Sequence, residues 1–179
     1  MRFAFLVLLL SCVFIPACDE PSSPKSTAAV PEAVDFRPDS LATAKALVPT
    51  LRGQLLYMPV YSNLPYSKGA SNFDMKGYVA IHNTDLAAKI RITSVVYFDH
   101  DGRPVFDFLK GKPVELSSLA TKDFQIPYED KSGLGSNFLI EWVSDRPVTE
   151  PLVECVTVSL IPNQSLGLLS RGKVIREIR

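Results

Sequence analysis

The sequence predicts an all-β protein: an antiparallel immunoglobulin-like β-sandwich of about seven strands, preceded by a signal segment and a disordered tether. Three observations indicate this architecture. From residue 54 onward, apolar and polar residues alternate in short runs, the period of strands with one buried face. Gly, Pro, Asn and Asp fill the gaps between these runs. Before residue 51 the pattern is absent, and an apolar run is followed by a Pro-rich stretch.

Residues 1–17 have the layout of a secretory signal. One basic residue precedes an apolar run from Phe3 to Ile15, which is too short to span a bilayer as a mature helix. The run ends at Ile15-Pro16-Ala17-Cys18, which resembles the lipobox of bacterial lipoproteins. That resemblance implies diacylation of Cys18 and a mature chain held at a membrane by acyl chains. Cys12 is an alternative site that would leave a shorter apolar core.

Residues 18–50 are predicted to be a Pro-, Ser- and Ala-rich tether. Such a composition buries too little apolar surface to offset the entropy of ordering the chain. Within the tether, Ser40–Val48 contains helix-forming residues behind an Asp39-Ser40 capping signal, so two turns of helix can form there before Pro49.

Residues 51–179 are the size of one domain with a single core. The full chain carries 19 basic and 19 acidic residues, with no basic stripe that would follow phosphates, so nucleic acid is not an expected partner. Once the signal is removed and Cys18 is acylated, Cys155 is the remaining cysteine. No internal disulfide is therefore expected, and packing must supply the stability.

The strands are predicted in order along this domain. They cover residues 54–61, 73–83, 89–99, 103–109, 114–118, 123–128, 137–144 and 152–161. Pro59 indicates an edge position for the first, because proline cannot donate to a ladder. Asp99-His100-Asp101-Gly102 is a tight hairpin turn. The last strand sends Val156, Val158 and Leu160 to one face. A small barrel is the main alternative to the sandwich.

Several separate motifs, in this order, resemble an exported bacterial family catalogued as domain of unknown function 3124. They are Pro59-Val60-Tyr61-Ser62, Asn83-Thr84-Asp85, Ile92-Thr93-Ser94-Val95, Asn137-Phe138 with Glu141-Trp142, Pro147-Val148 with Glu150-Pro151, and Ser170-Arg171-Gly172 with Val174-Ile175. The resemblance covers about Leu56 to Ile175. It implies no activity, and no functional residue is carried over from it.

Catalytic groups are sparse in this domain. Cys155 with His82 or His100 offers a nucleophile and a base, but Cys155 lies inside an apolar strand, where cysteine is usually a small buried hydrophobe. The Asp99–Gly102 turn has two carboxylates and an imidazole, yet lacks the further ligands that calcium or transition metals require. No metal site and no cofactor are predicted.

Glu141 and Glu154 are the acidic residues with the best prospect of chemistry. Were their strands paired as a hairpin, the two carboxylates would meet and one pKa would rise. The simpler interpretation is that Glu141 faces solvent on the side of its strand opposite Trp142, or pairs with a base such as Arg91 or Arg171.

Tyr57, Tyr61 and Tyr66 form a predicted aromatic patch on and after the first strand. Tyrosine supplies a large contact area at low entropic cost, which suits recognition of a protein or a glycan. The sequence therefore favours a lipid-anchored bacterial envelope protein that faces the periplasm and acts as a non-catalytic binding or structural module. The alternative is an envelope hydrolase or metal-dependent enzyme that uses Glu141 and Glu154, or Cys155.

Overall fold

A computed structural model of the chain describes residues 52–65, 72–126, 135–161 and 164–179, which form twelve strands. In chain order they are β1 (Arg52–Pro59), β2 (Asn63–Pro65), β3 (Asn72–Asp74), β4 (Lys76–His82), β5 (Ile90–Phe98), β6 (Pro104–Asp107), β7 (Val114–Leu116), β8 (Thr121–Gln125), β9 (Asn137–Ser144), β10 (Leu152–Ile161), β11 (Gln164–Arg171) and β12 (Lys173–Ile178).

These strands build two principal antiparallel sheets. The six-stranded sheet has the order β12-β1-β9-β5-β6, with β7 also paired to β5. The four-stranded sheet has the order β11-β10-β4-β8. A short hairpin joins β2 and β3. The predicted all-β sandwich is confirmed, with separate sheets in place of one closed barrel.

The core lies between the two sheets. Side chains at alternate positions of both sheets share it, because successive residues of a strand point to opposite faces. The six-stranded sheet contributes Met58, Ile140 and Trp142, and the four-stranded sheet contributes Val79 and Ile81. All five are fully buried. Burial of apolar area at about 25 cal/mol per Å² is the main force that holds the sheets together.

The predicted edge position of β1 is wrong. β1 lies between β12 and β9 in the six-stranded sheet. Pro59 is tolerated there because β12 pairs only with the stretch Gly53–Tyr57, so the end of β1 has a partner on one side alone. On that side Pro59 lies opposite Asn137 of β9.

β4 and β5, which correspond to the predicted strands 73–83 and 89–99, belong to different sheets. The chain between them crosses from one sheet to the other, and the buried Asn83 secures the crossing. Its side-chain amide donates to the carbonyl oxygens of Ala88 at 2.9 Å, Leu116 at 3.2 Å and Ser117 at 2.9 Å. Its Oδ1 accepts from the backbone N–H of Asp85. One polar side chain thus satisfies backbone groups in two segments, 85–88 and 116–117.

The structure has twelve strands where eight are predicted: β2 was not predicted, the predicted strand 73–83 is divided into β3 and β4, and β11 and β12 follow the last predicted strand. Both are edge strands, and the side chains of β12 are exposed or half-buried along its length. Such strands give a weak alternation of apolar and polar residues. The Asp99–Gly102 hairpin turn is confirmed: Gly102 donates to the carbonyl of Asp99 and has a φ of 75°.

The predicted signal segment (1–17), the tether (18–50) and its lipidation residue Cys18 lie outside the described residues. Among the described residues, no helix is long and apolar enough to cross a membrane.

Candidate binding surface

The structure does not bring Glu141 and Glu154 together. Glu141 lies on β9, which pairs with β1 and β5, whereas Glu154 lies on β10, which pairs with β11 and β4. The two strands belong to different sheets, and each carboxylate is on the face of its sheet that points away from the core. The hairpin that would have joined them is therefore absent from the described sheets.

Glu141 is nevertheless buried, so the prediction that it faces solvent is wrong. Its side chain lies on the outer face of the six-stranded sheet and is 3% exposed. A β-bulge in β5 inserts Thr93 opposite it, and Thr93 Oγ1 donates to Glu141 Oε1 at 2.6 Å. Burial raises the pKa of Glu141, while the Thr93 hydrogen bond and the positive charge of Arg176 partly oppose that rise.

Glu154 lies near His82 on the outer face of the four-stranded sheet. His82 Nε2 is 3.9 Å from Glu154 Oε1, and His82 Nδ1 is 2.8 Å from Thr121 Oγ1. The three residues lie on three adjacent strands, β10, β4 and β8. The His82 and Glu154 side chains are 34% and 22% exposed, so this group resembles ordinary polar surface more than a site of acid–base chemistry.

Cys155 points into the core and is 1% exposed. Burial raises the pKa of its thiol to about 12, so the thiolate nucleophile does not form at physiological pH. In the four-stranded sheet, Cys155 lies opposite Val79, whose side chain is in the core, whereas His82 points to the outer face. A cysteine–histidine pair therefore does not exist here.

His100 lies in an exposed hairpin turn, 3.4 Å from Asp101 Oδ1. Among the described residues, no group of three or more His, Cys, Asp or Glu side chains is close enough to hold a metal ion. Two clefts are lined by Lys89, Arg91 and Glu115 in one case, and by Arg52 and Glu177 in the other. Neither contains a histidine, Cys155, Glu141 or Glu154.

The predicted tyrosine patch is only partly within the described residues. Tyr57 lies on the outer face of the six-stranded sheet and is 36% exposed. Tyr61 follows β1 and is half-buried. Tyr66 lies outside the described residues. The tyrosine patch therefore stays a prediction.

A second candidate surface, made of exposed apolar side chains, lies on the outer face of the four-stranded sheet. Leu169, Val156 and Tyr78 are direct register neighbours on β11, β10 and β4, and they are 59%, 46% and 50% exposed. Val158 and Leu160 extend the row along β10 and are also exposed. We call these five residues the apolar patch. Its members are adjacent on one sheet face, unlike the isolated exposed apolar residues that any surface carries.

Charged residues of both signs border the apolar patch. Lys76 lies beside Val158 on β4, and Arg171 lies beside Glu154 at the other side of the patch. Asp123 follows on β8, opposite Ala80. An apolar centre with a polar rim is the layout of protein–protein interfaces.

The sequence contained a signal for this surface that period-two counting does not resolve. In β10, both faces are apolar: Val153 and Cys155 on one side, and Val156, Val158 and Leu160 on the other. The structure turns the first set inward and the second outward, because Cys155 and Val153 pair with the buried Val79 and Ile81 of β4. A strand with two apolar faces in a two-layer fold predicts one exposed apolar face.

The comparisons with known proteins bear mainly on the family. The family model described as Protein of unknown function (DUF3124) matches residues 53–175. A solved structure titled "Crystal Structure of Thermotoga maritima 1070" is similar at 14% sequence identity and a TM-score of 0.41, over 67% of this chain and 92% of that chain. No curated protein matches the chain.

Proposed function

This chain belongs to the DUF3124 family of proteins of unknown function, and we propose that it is a lipid-anchored protein of the bacterial cell envelope whose sandwich is a non-catalytic binding module. Its ligand in this proposal is another envelope protein. The observation that carries the proposal is the apolar patch on the four-stranded sheet.

The chemistry of the patch favours a protein over a glycan. Glycan sites need hydrogen-bonding groups at the centre, whereas the centre here is Val156, Leu169 and the ring of Tyr78. Leaving these side chains in water costs about 25 cal/mol per Å² of apolar area, which a matching apolar surface would recover. The rim of Lys76, Arg171 and Asp123 calls for a partner with charges of both signs around its own apolar centre.

The anchor is supported by the sequence at the end of the apolar run. Cys18 stands where a lipoprotein signal would be cut, and acyl chains on it would hold the domain at a membrane. The mature chain then faces the periplasm. A surface held near a membrane meets its partner at a high effective concentration, so a patch of modest area is sufficient.

The hydrolase alternative lacks a geometric basis in the described residues. Glu141 and Glu154 lie on separate sheets, and the Cys155 thiol is held neutral within the core. An enzyme requires a concave site where two or more polar groups converge. The exposed apolar patch instead suits binding.

The experiment tests the anchor and the surface separately. A photo-crosslinking residue replaces Val156 in the full-length lipidated protein in cells, and Leu86, an exposed leucine outside the patch, is the matched control site. We expect one discrete intermolecular adduct from position 156, abolished by Leu169→Lys, and none from position 86. Equal adducts from both sites, or none from position 156, would contradict the binding surface. Palmitate labelling that persists in Cys18→Ser would contradict the anchor.

A further inference from the structure

Part of the outer face of the six-stranded sheet is buried. Leu55 on β1, Val96 on β5 and Val143 on β9 are 2%, 2% and 3% exposed. None of them belongs to the core cluster between the sheets. Each alternates with a neighbour that does belong to it, such as Leu56 beside Leu55 and Trp142 beside Val143, so each points away from the core.

These three side chains lie around Glu141 on the same face of the six-stranded sheet. Leu55 is the register neighbour of Glu141 on β1, and Arg91 of β5 is the register neighbour of Val143. Val96 lies opposite Leu139, the residue two positions before Glu141 on the same face of β9. These residues therefore lie on three adjacent strands, β1, β9 and β5, at the centre of the sheet. We call Leu55, Val96, Glu141 and Val143 the covered face.

Neighbours in the same sheet do not explain this burial. A side chain on a sheet stands roughly perpendicular to it, so residues on adjacent strands flank the side chain without lying above it. The four-stranded sheet packs on the opposite side, against Ile140 and Trp142. A further layer must lie over the covered face, at the usual spacing of about 10 Å between packed layers.

We propose that this layer is residues 40–51, the segment that leads directly into β1. β1 lies between β12 and β9, and its first residue, Arg52, is opposite Ser144, which follows Val143 on β9. The chain that precedes β1 therefore emerges beside the covered face. The cover thus belongs to the same chain, and the spacer to the lipid is shorter than the Pro-rich composition indicates.

The sequence of the segment fits this role. Residues 40–48 favour two turns of helix and carry Leu41, Leu47 and Val48 as large apolar side chains. Nine helical residues are about 13 Å long, and three strands are about 10 Å across. One short amphipathic helix can therefore cross β1, β9 and β5 and place apolar side chains over the covered face. A helix of this length spans the three strands once and is too short to add a second layer.

A photo-crosslinking residue at position 57 tests the proposal in the full-length protein. Tyr57 lies on the same face, opposite Leu139, and at its margin. Position 78, on the outer face of the four-stranded sheet, is the matched control. We expect intrachain crosslinks from position 57 to residues 40–51, located by mass spectrometry, and none from position 78. Crosslinks from position 57 to 127–134 or to a second copy would overturn the proposal.

Chemical labelling gives a second test that does not depend on crosslinking geometry. The variant Val96→Cys places a thiol on the covered face, and the buried Cys155 is an internal unreactive control. Adding Leu41→Asp with Leu47→Asp should speed maleimide labelling of position 96 by about tenfold, because the cover opens locally. Adding Ala28→Asp with Val30→Asp should leave the rate unchanged. Equal rates in both double variants would overturn the proposal.

Discussion

Thr93 donates a 2.6 Å hydrogen bond from Oγ1 to Oε1 of the buried Glu141. Thr93 is the additional residue of a β-bulge in β5, and the bulge places its hydroxyl against a carboxylate that has little access to water. Arg176 lies on the far side of Leu55 from Glu141 and contributes a favourable charge. The sheet thus holds an ionisable group on a face where apolar residues surround it.

Glu141→Gln should reduce the dependence of stability on pH. Burial raises the folded-state pKa of Glu141 above its ordinary value of 4.5, so the folded chain retains a proton that the unfolded chain loses. Stability therefore falls as the pH rises above about 4.5 through the folded pKa. Glutamine has no such titration. Thermal unfolding between about pH 4 and pH 8 should show a smaller loss of Tm in the variant than in the parent.

Thr93→Val is the companion to that measurement. It removes the donor and leaves a buried carboxylate, at a cost of about 2 kcal/mol near neutral pH. In the Glu141→Gln background its cost should be smaller, because no charge remains to be stabilised. A Tm loss that rises with pH to the same extent in Glu141→Gln as in the parent would assign the titration to another group.

Asp85→Ala should destabilise the protein at neutral pH and less so in acid. Asp85 Oδ1 accepts from the N–H groups of Ala87 and Ala88, Oδ2 accepts from Thr149, and these hydrogen bonds lower the pKa to about 2. A depressed folded-state pKa stabilises the fold above the unfolded value of 3.8, and that stability is lost as the pH falls to about 2.

The comparison of Asp85→Ala with the parent in urea, at several pH values, checks this prediction. The difference in unfolding free energy should be constant above about pH 5 and shrink below about pH 4. Asp85→Asn keeps one side-chain acceptor and should lie between the two. A difference that does not change down to about pH 2 would contradict the role of the ionised carboxylate.

Asn83→Ala should be among the more damaging substitutions outside the apolar core. It leaves the carbonyls of Ala88, Leu116 and Ser117 without their side-chain donor. Loss of such buried partners costs about 2 to 3 kcal/mol. Asn63→Ala is the matched control, since its amide donates to Asp74 in an exposed hairpin. Urea unfolding should show a change within about 0.5 kcal/mol for the control; equal losses would refute the argument.

Cys155 should behave as a packing residue without reactivity. Iodoacetamide should modify it only after unfolding, because the thiol is buried and its pKa is about 12. Cys155→Ala should cost about 1 kcal/mol as a small cavity. Cys155→Ser should cost more, because a hydroxyl would be buried among apolar side chains. Rapid modification of the folded protein would reinstate Cys155 as a candidate nucleophile.

The strongest sequence patterns predicted real strands. β4, β5, β9 and β10 all lie where alternation is clear, and the Asp99–Gly102 turn is where its residues indicate. The sequence motifs also predicted the DUF3124 family, and the match over residues 53–175 confirms it. The candidate sites were less predictable: Glu141 and Glu154 lie on different sheets, and the apolar patch was not anticipated. The tyrosine patch stays a prediction, because Tyr66 lies outside the described residues.

The predicted edge position of β1 was wrong because the extent of a neighbouring strand is not a local property of the sequence. Pro59 correctly indicates a missing partner, but only beyond the reach of β12, and no local signal tells how far a neighbouring strand extends. The alternation in β9 likewise predicts that Glu141 points to the outer face, but it does not predict whether that face is covered. What lies above that outward face depends on segments distant in the chain.

The sequence by itself determined which residues share a face of each strand, because the side-chain period of two is a local property of the backbone. Thus Val156 and Val158 had to lie on the opposite side of β10 from Cys155. Only the tertiary structure decided which side became the interior, because burial depends on which strands pair and which sheet packs above them. The physical reason is that alternation fixes relative orientation, whereas exclusion of water requires a second layer, and residues far apart in the chain supply it.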